Sequence, residues 1–268
     1  MAEIVANGVR FHVQRLTRPD RPSQLERPVV FIHGLGIDNM SSFYYTLANP
    51  VASAGADVIL YDLRGYGLSE RPPTGYRVDD SVTDLAGLLD ALGVDGPVHL
   101  VGNSYGGTVA LGFAVGYPER VASMVLIEAR APLAGWAEQW AAAIMKTGSD
   151  LAGDKLRRWM AQSRKNARIA AIWEDLIHHT TFVDDLLATE PLTEDQLRMI
   201  TSPVRAVYGK QSDILHHAHV LDSLLPRCAL TVLPDVDHWM LPQAPRELRA
   251  IVLDWFTTQT MVTHAGLQ

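Results

Sequence analysis

Six short apolar runs punctuate this chain, and helix-period patterns fill most of the intervals between them. The runs are Pro28–Ile32, Asp57–Tyr61, Pro97–Val101, Ser123–Ile127, Pro203–Tyr208 and Ala229–Leu233. They lack the apolar–polar alternation of a half-exposed strand, so each reads as a strand buried on both faces, as in a parallel sheet. Val82, Leu85, Leu88, Leu89 and Leu92 recur at three- and four-residue spacing, as do Leu248, Ile251, Val252 and Trp255. That spacing lays one apolar stripe along a helix. Alternation of strand and helix in this order predicts an α/β fold: a doubly wound, mostly parallel sheet with helices on both faces. Ahead of the first run, Glu3–Ala6 and Val9–Gln14 flank Asn7-Gly8. Both central positions of a tight hairpin turn need positive φ, which Asn and Gly tolerate, so the chain opens on a hairpin.

One stretch breaks the alternation. Between Pro132 and Ile200 there is no good strand candidate, and four of the six tryptophans (Trp136, Trp140, Trp159 and Trp173) fall there. The stretch reads as several amphipathic helices inserted between two sheet strands. The expected organisation is therefore a core from 1–132, a helical lid from 133–200 and a second core part from 201–268. Helices inserted above the carboxyl ends of the strands would cover a site there, where ligands of such sheets bind.

The chemistry begins at Gly102-Asn103-Ser104-Tyr105-Gly106-Gly107. An apolar strand precedes it and a run of small apolar residues follows, so Ser104 sits where a strand turns sharply into a helix. G-x-S-x-G in that context is a nucleophile elbow, which strains the serine backbone and requires glycine two residues away on either side. A serine hydroxyl needs a base held by a third group. Of ten histidines, His238 is best placed, in the loop after the last strand. Two carboxylates stand at strand ends within plausible reach: Glu128 directly after Ile127, and Asp213 in the loop after Tyr208. His33-Gly34-Leu35-Gly36, just after a strand, offers the Leu35 amide as one oxyanion donor, with the Tyr105 amide as the other. His216, His217 and His219 crowd one helix, but no carboxylate or fourth ligand stands in register with them, so they read as a solvated face rather than a metal site.

These pieces resemble the α/β-hydrolase fold superfamily over nearly the whole chain: His33–Gly36, the elbow, Tyr208-Gly209, Asp237-His238, and the loop Asp62-Leu63-Arg64-Gly65-Tyr66-Gly67-Leu68-Ser69. The resemblance implies a nucleophile, acid and histidine in chain order. It also implies a structural role for the Asp62–Ser69 loop, with Arg64 tied to nearby carbonyls. The family usually places its acid three residues after the glycine that ends the seventh strand. Here that position is Ser212, and Asp213 stands one place late. Glu128 is similar to a variant with the acid after the sixth strand, about two dozen residues past the nucleophile; the separation from Ser104 is 24. The resemblance favours Glu128, with Asp213 as the alternative acid. A serine nucleophile argues against the dehalogenase and epoxide-hydrolase branches, which use aspartate.

Composition trims the alternatives. The 268 residues are 47% hydrophobic and 20% charged with a net charge of -7, and no Lys/Arg cluster offers a nucleic-acid surface. Cys228 is the only cysteine, so no internal disulfide forms, and no apolar run reaches the ~18–20 residues that span a bilayer. The opening residues lack the pattern of a signal peptide, which leads us to expect a cytoplasmic protein. The expected activity is a cofactor-independent serine hydrolase that cleaves a small or medium carboxylic ester, lactone or thioester through an acyl-enzyme. Its partner is a small-molecule acyl substrate, with neither nucleic acid nor membrane; a homodimer stays open. The same site leaves open an acyltransferase, lyase or carbon–carbon hydrolase of a polyketide or aromatic pathway. A reading from another class is a small-molecule binding module with vestigial turnover.

Overall fold

The computed structural model describes residues 2–17, 25, 27–36, 38–142 and 161–265. An eight-stranded sheet runs through the molecule in the order β1-β2-β4-β3-β5-β6-β7-β8. Strands β1 (Ala2–Ala6) and β2 (Val9–Leu16) form the predicted hairpin, with Asn7 at φ 48° and Gly8 at φ 74° in its turn. β2 pairs antiparallel with β4 (Val58–Tyr61). From β4 onward every pairing is parallel, through β3 (Val29–Ile32), β5 (Val98–Asn103), β6 (Val121–Ile127), β7 (Val204–Gly209) and β8 (Cys228–Leu233).

Successive residues of a strand point to opposite faces, and here each face meets its own apolar layer. Val30, Ile32, Leu100 and Leu126 join the helices Val78–Ala91 and Tyr105–Gly116, whereas Val29, Phe31, Val101 and Val125 join the helical segment at 41–53 and the helix Pro245–Ala265. This is why the runs carry no polar alternation. In Val78–Ala91 the stripe Leu85, Leu88 and Leu89 is fully buried, and each such leucine contributes roughly 2 kcal/mol. Asp80 accepts a hydrogen bond from the Arg77 amide and so satisfies a donor at the start of that helix.

The stretch without strand candidates forms helices where it is described, at Arg164–His179, Phe182–Leu187 and Glu194–Arg198. Ser163 caps the first by accepting from the Asn166 amide, and Thr193 caps the last by accepting from that of Gln196. Trp136 and Trp140 pack against Tyr105, and Trp173 packs between Tyr66 and Phe182. Arg71 pairs with Asp175, and Asp185 accepts from the Gly75 and Tyr76 amides, which ties these helices to the loop before Val78. Trp159 lies outside the described residues. No helix among the described residues is long and apolar enough to cross a membrane.

A polar cluster inside the sheet gives the fold a pH dependence. Trp255 Nε1 donates to Ser123 Oγ at 3.2 Å, and the hydroxyl lies 2.8 Å from His99 Nδ1. Donation of the hydroxyl to that nitrogen leaves a neutral imidazole. Burial, with Arg27 adding to it, pushes His99 from 6.5 down to about 4. Between those values the unfolded chain binds a proton that the folded chain refuses, so stability falls as pH falls. This histidine alone should remove about 2.5 kcal/mol between pH 7 and pH 4.5. Urea midpoints at the two pH values check it: the drop should be clearly smaller in His99→Gln than in the parent.

Candidate active site

Ser104 stands between the last residue of β5 and the first of helix Tyr105–Gly116, at φ 53° and ψ -115°. Few L residues adopt that backbone, and the surroundings hold it there. The Ser104 amide donates to the Ile127 carbonyl at 2.8 Å, which fastens the turn to β6. A side chain at Gly102 would strike the backbone of Gly106, and one at Gly106 would strike the carbonyls of Ile32 and His33. The glycines are therefore required by close backbone approach on both sides of the serine.

His238, from the loop after β8, brings Nε2 to 3.2 Å from Ser104 Oγ. Its Nδ1 lies 3.1 Å from Glu128 Oε2. The carboxylate accepts at that contact, so Nδ1 carries the proton and Nε2 is left to accept from the serine. Glu128 is 0% exposed and takes φ 52°, another left-handed position at a strand end. Its carboxylate also accepts from the Gly209 amide at 2.6 Å and from Ser212 Oγ at 2.6 Å. Asp213 is exposed, and both ring nitrogens of His238 are already engaged by Ser104 and Glu128. The structure thus brings Ser104, His238 and Glu128 together and leaves Asp213 apart from them.

The histidine loop is held against β7. A side chain at Gly209 would collide with the Val236 carbonyl, which accepts from the Gln211 amide at 2.9 Å. Asp237 accepts from the Trp239 amide and Gln243 Nε2, and these bonds hold its carboxyl below the usual range.

Sequence reasoning noted Ser212 only as the place where the family's usual acid is missing. Its hydroxyl shares with His238 the same oxygen of Glu128, and so restrains the carboxylate. The signal was present: a hydroxyl three residues after Gly209 where an acid normally points at the same histidine. Hydrogen bonds to a charged group contribute about 1.5–3 kcal/mol. Ser212→Ala should therefore lower kcat about tenfold with little change in KM, which steady-state kinetics on a p-nitrophenyl ester will report.

The loop after β3 abuts the elbow. A side chain at Gly34 would come within 3.3 Å of Ser104 Cβ. His33 is fully buried and spans two elements: Nδ1 donates to the Gly34 carbonyl at 2.7 Å and Nε2 accepts from the Leu63 amide at 2.9 Å. The Gly34 amide donates to Asp38 and that of Gly36 to Tyr66 Oη. The Leu35 amide between them has no partner among the described residues. Tyr105 opens its helix, so its N–H lacks an intrahelical acceptor.

Two expectations change. Arg64 makes a bidentate pair with buried Asp84, both contacts at 2.6 Å, and only a long 3.4 Å contact with the Thr74 carbonyl. A buried guanidinium needs a counter-charge, which carbonyls do not supply. His217 is buried rather than on a solvated face, although His216 and His219 are exposed. It accepts from the Ala131 amide at Nδ1 and donates from Nε2 to Gln139. Burial, with His216 and Arg130 nearby, pushes it down to about 4.

A family model described as alpha/beta hydrolase fold matches residues 27–198, which is more than half of the chain. The chain belongs to the alpha/beta hydrolase fold family. Among curated proteins it is similar to a 2-hydroxy-6-oxo-2,4-heptadienoate hydrolase of Pseudomonas putida, 42% identical over 103 residues, which cover 38% of this chain and 37% of that protein. The matches span between a third and a half of the length of these curated relatives. Among solved structures, a meta-cleavage product hydrolase from Pseudomonas fluorescens has a TM-score of 0.72 at 21% identity, covering 96% of this chain and 98% of the other. An enol-lactonase from Burkholderia xenovorans has a TM-score of 0.73 at 19% identity, covering 96% and 100%. This alpha/beta hydrolase fold chain thus shares its architecture with enzymes named for different bonds.

Proposed function

We propose that this chain is a serine hydrolase in which Ser104 is the nucleophile, His238 the general base and Glu128 the acid that orients it. The observation that carries the reading is the 3.2 Å approach of Ser104 Oγ to His238 Nε2, with the other ring nitrogen on Glu128. Ser104 Oγ attacks the acyl carbon as its proton passes to Nε2. The oxyanion lies against the amides of Leu35 and Tyr105, each contributing roughly 3 kcal/mol in comparable sites. The imidazolium then gives its proton to the leaving group, and the acyl-enzyme forms. Water, deprotonated by the same nitrogen, releases the acid and restores the serine.

An ester, lactone or thioester is the simplest substrate, because an oxygen or sulfur leaving group needs only that one proton. A second reading is hydrolysis of a carbon–carbon bond, favoured by relatives named as 2-hydroxy-6-oxo-dienoate hydrolases. There the dienol first ketonises, its 2-hydroxyl proton passing to carbon 5, so that after attack by Ser104 the leaving carbon departs as a conjugated dienolate that takes the proton from His238. We also assign the helices between 133 and 200 as a lid. Support comes from Trp136 and Trp140 on Tyr105, next to the nucleophile, and from Trp173 on Tyr66, whose hydroxyl accepts from the Gly36 amide.

A turnover panel of p-nitrophenyl esters, lactones, acyl thioesters and a 2-hydroxy-6-oxo-dienoate tests the reading. Cleavage in at least one class, lost in Ser104→Ala, supports it. Folded parent protein inert towards all four classes would favour a binding module instead.

A further inference from the structure

Seven buried side-chain nitrogens or oxygens have no hydrogen-bond partner among the described residues, and three of them form one cluster: Arg130 Nε, Trp136 Nε1 and Trp140 Nε1. The Trp136 and Trp140 rings lie 6.3 Å apart, and the Arg130 guanidinium carbon sits 5.3 Å from the centre of the Trp140 ring. Both indoles pack on Tyr105, the residue after the nucleophile, at 6.4 and 6.2 Å. Arg130 follows Glu128 by two residues, and its carbonyl is fixed by Thr108 Oγ1 at 3.1 Å.

Three other arginines have an unpartnered Nε, but each uses another nitrogen. Arg120 reaches Asp90 and the Val94 carbonyl, Arg205 reaches Thr231, and Arg249 reaches the Thr46 carbonyl. Arg130 is half-buried, with only its Nε fully enclosed, and its guanidinium makes no hydrogen bond or ion pair among the described residues. Glu128 and Asp213 are close enough for their charges to favour the cation, yet neither lies within ion-pair distance. Glu128 already accepts from Gly209, Ser212 and His238, and Asp213 is exposed. Burial draws the guanidinium below its ordinary pKa. Trp136 is 2% exposed and Trp140 is 8% exposed, so water cannot readily satisfy their N–H groups.

A buried donor without an acceptor costs free energy, and a cation partly withdrawn from water without a direct ion-pair partner adds to that cost. Three such donors on side chains packed around Tyr105 have their acceptor beyond the described residues. We propose that Arg130, Trp136 and Trp140 form an anion subsite that receives a carboxylate carried on the acyl part of the substrate. A guanidinium supplies the charge that a carboxylate needs, and the neighbouring indole N–H groups are donors suited to its oxygens. A phosphate dianion would need a second cation. The inference rests on the serine-hydrolase reading and narrows its substrate to acyl compounds bearing a second, anionic group.

The test compares mono-p-nitrophenyl succinate, glutarate and adipate with neutral isosteres in which a methyl ketone replaces the carboxylate. Charge-assisted hydrogen bonds set the expected size: the best anionic ester should exceed its isostere in kcat/KM by about 10- to 100-fold. In Arg130→Gln that ratio should fall to about one, and in Trp140→Phe, which keeps a ring without the N–H, it should drop severalfold. A parent ratio near one, or a ratio preserved in Arg130→Gln, overturns the subsite. Cleavage of the neutral ester without anion preference would discard the subsite while keeping the hydrolase. Should the parent cleave no ester, free glutarate decides through thermal unfolding. A rise in Tm in the parent that is absent from Arg130→Gln supports the subsite, and no rise in the parent overturns it.

Discussion

Glu128→Gln should lower acyl-ester turnover by about three orders of magnitude, whereas Asp213→Asn should stay within about twofold of the parent. The loss follows from the hydrogen bonds around the carboxylate. Gly209 N–H donates to Oε1, so the single oxygen of a glutamine must remain there. The amide NH2 then takes the place of Oε2, facing Ser212 and His238 Nδ1. A donor at that point obliges Nδ1 to accept, and the proton moves to Nε2. The nitrogen facing Ser104 can then no longer take a proton. Loss of the carboxylate also removes the charge that stabilises the imidazolium in the transition state. Asp213 is exposed and apart from the ring, so its amide leaves the proton where it was. Steady-state kinetics of the two variants decide the matter, and the reverse pattern would move the acid to Asp213.

Gly106→Ala carries the second large effect, and it acts on the fold. The new methyl would overlap the carbonyls of Ile32 and His33, which are backbone atoms of β3 and its following loop. No rotamer change relieves a clash of that kind, so relief requires parting the elbow helix from the sheet. We expect destabilisation by more than about 3 kcal/mol. In a chain of this size that lowers Tm by roughly 10 °C, or prevents recovery of folded protein altogether. Gly96→Ala is the control: an added methyl there meets nothing within 4 Å, and the position lacks positive φ. Its stability should stay within about 0.5 kcal/mol of the parent.

Much of this architecture could be read from the residues because burial imposes a pattern. Each of the six apolar runs contains a strand; in β3 to β7 both faces of the sheet are covered, which favours apolar residues at most positions, whereas the edge strand β8 is only partly buried. The serine turn was legible because its glycines have a steric cause. The counter-charge of Arg64 was missed, although a sign was available. Asp84 interrupts an apolar helical stripe between Val82 and Leu85, and a carboxylate there asks for a cation. His217 likewise shares a helix face with Leu221 and Leu224, and that spacing marked it as buried. Choosing between Glu128 and Asp213 needed geometry, because both stand at strand ends and one loop residue decides which reaches the imidazole. The unpaired donors at Arg130, Trp136 and Trp140 leave no mark in a sequence. Indole N–H groups look the same whether or not an acceptor waits beside them.

Activation of the Ser104 hydroxyl by His238 is the claim on which the catalytic account depends. Intact-mass measurement after treatment with a fluorophosphonate tests it most directly. The account predicts one adduct per chain in the parent and none in Ser104→Ala. An unmodified parent that is demonstrably folded, or an equal adduct in Ser104→Ala, would contradict it.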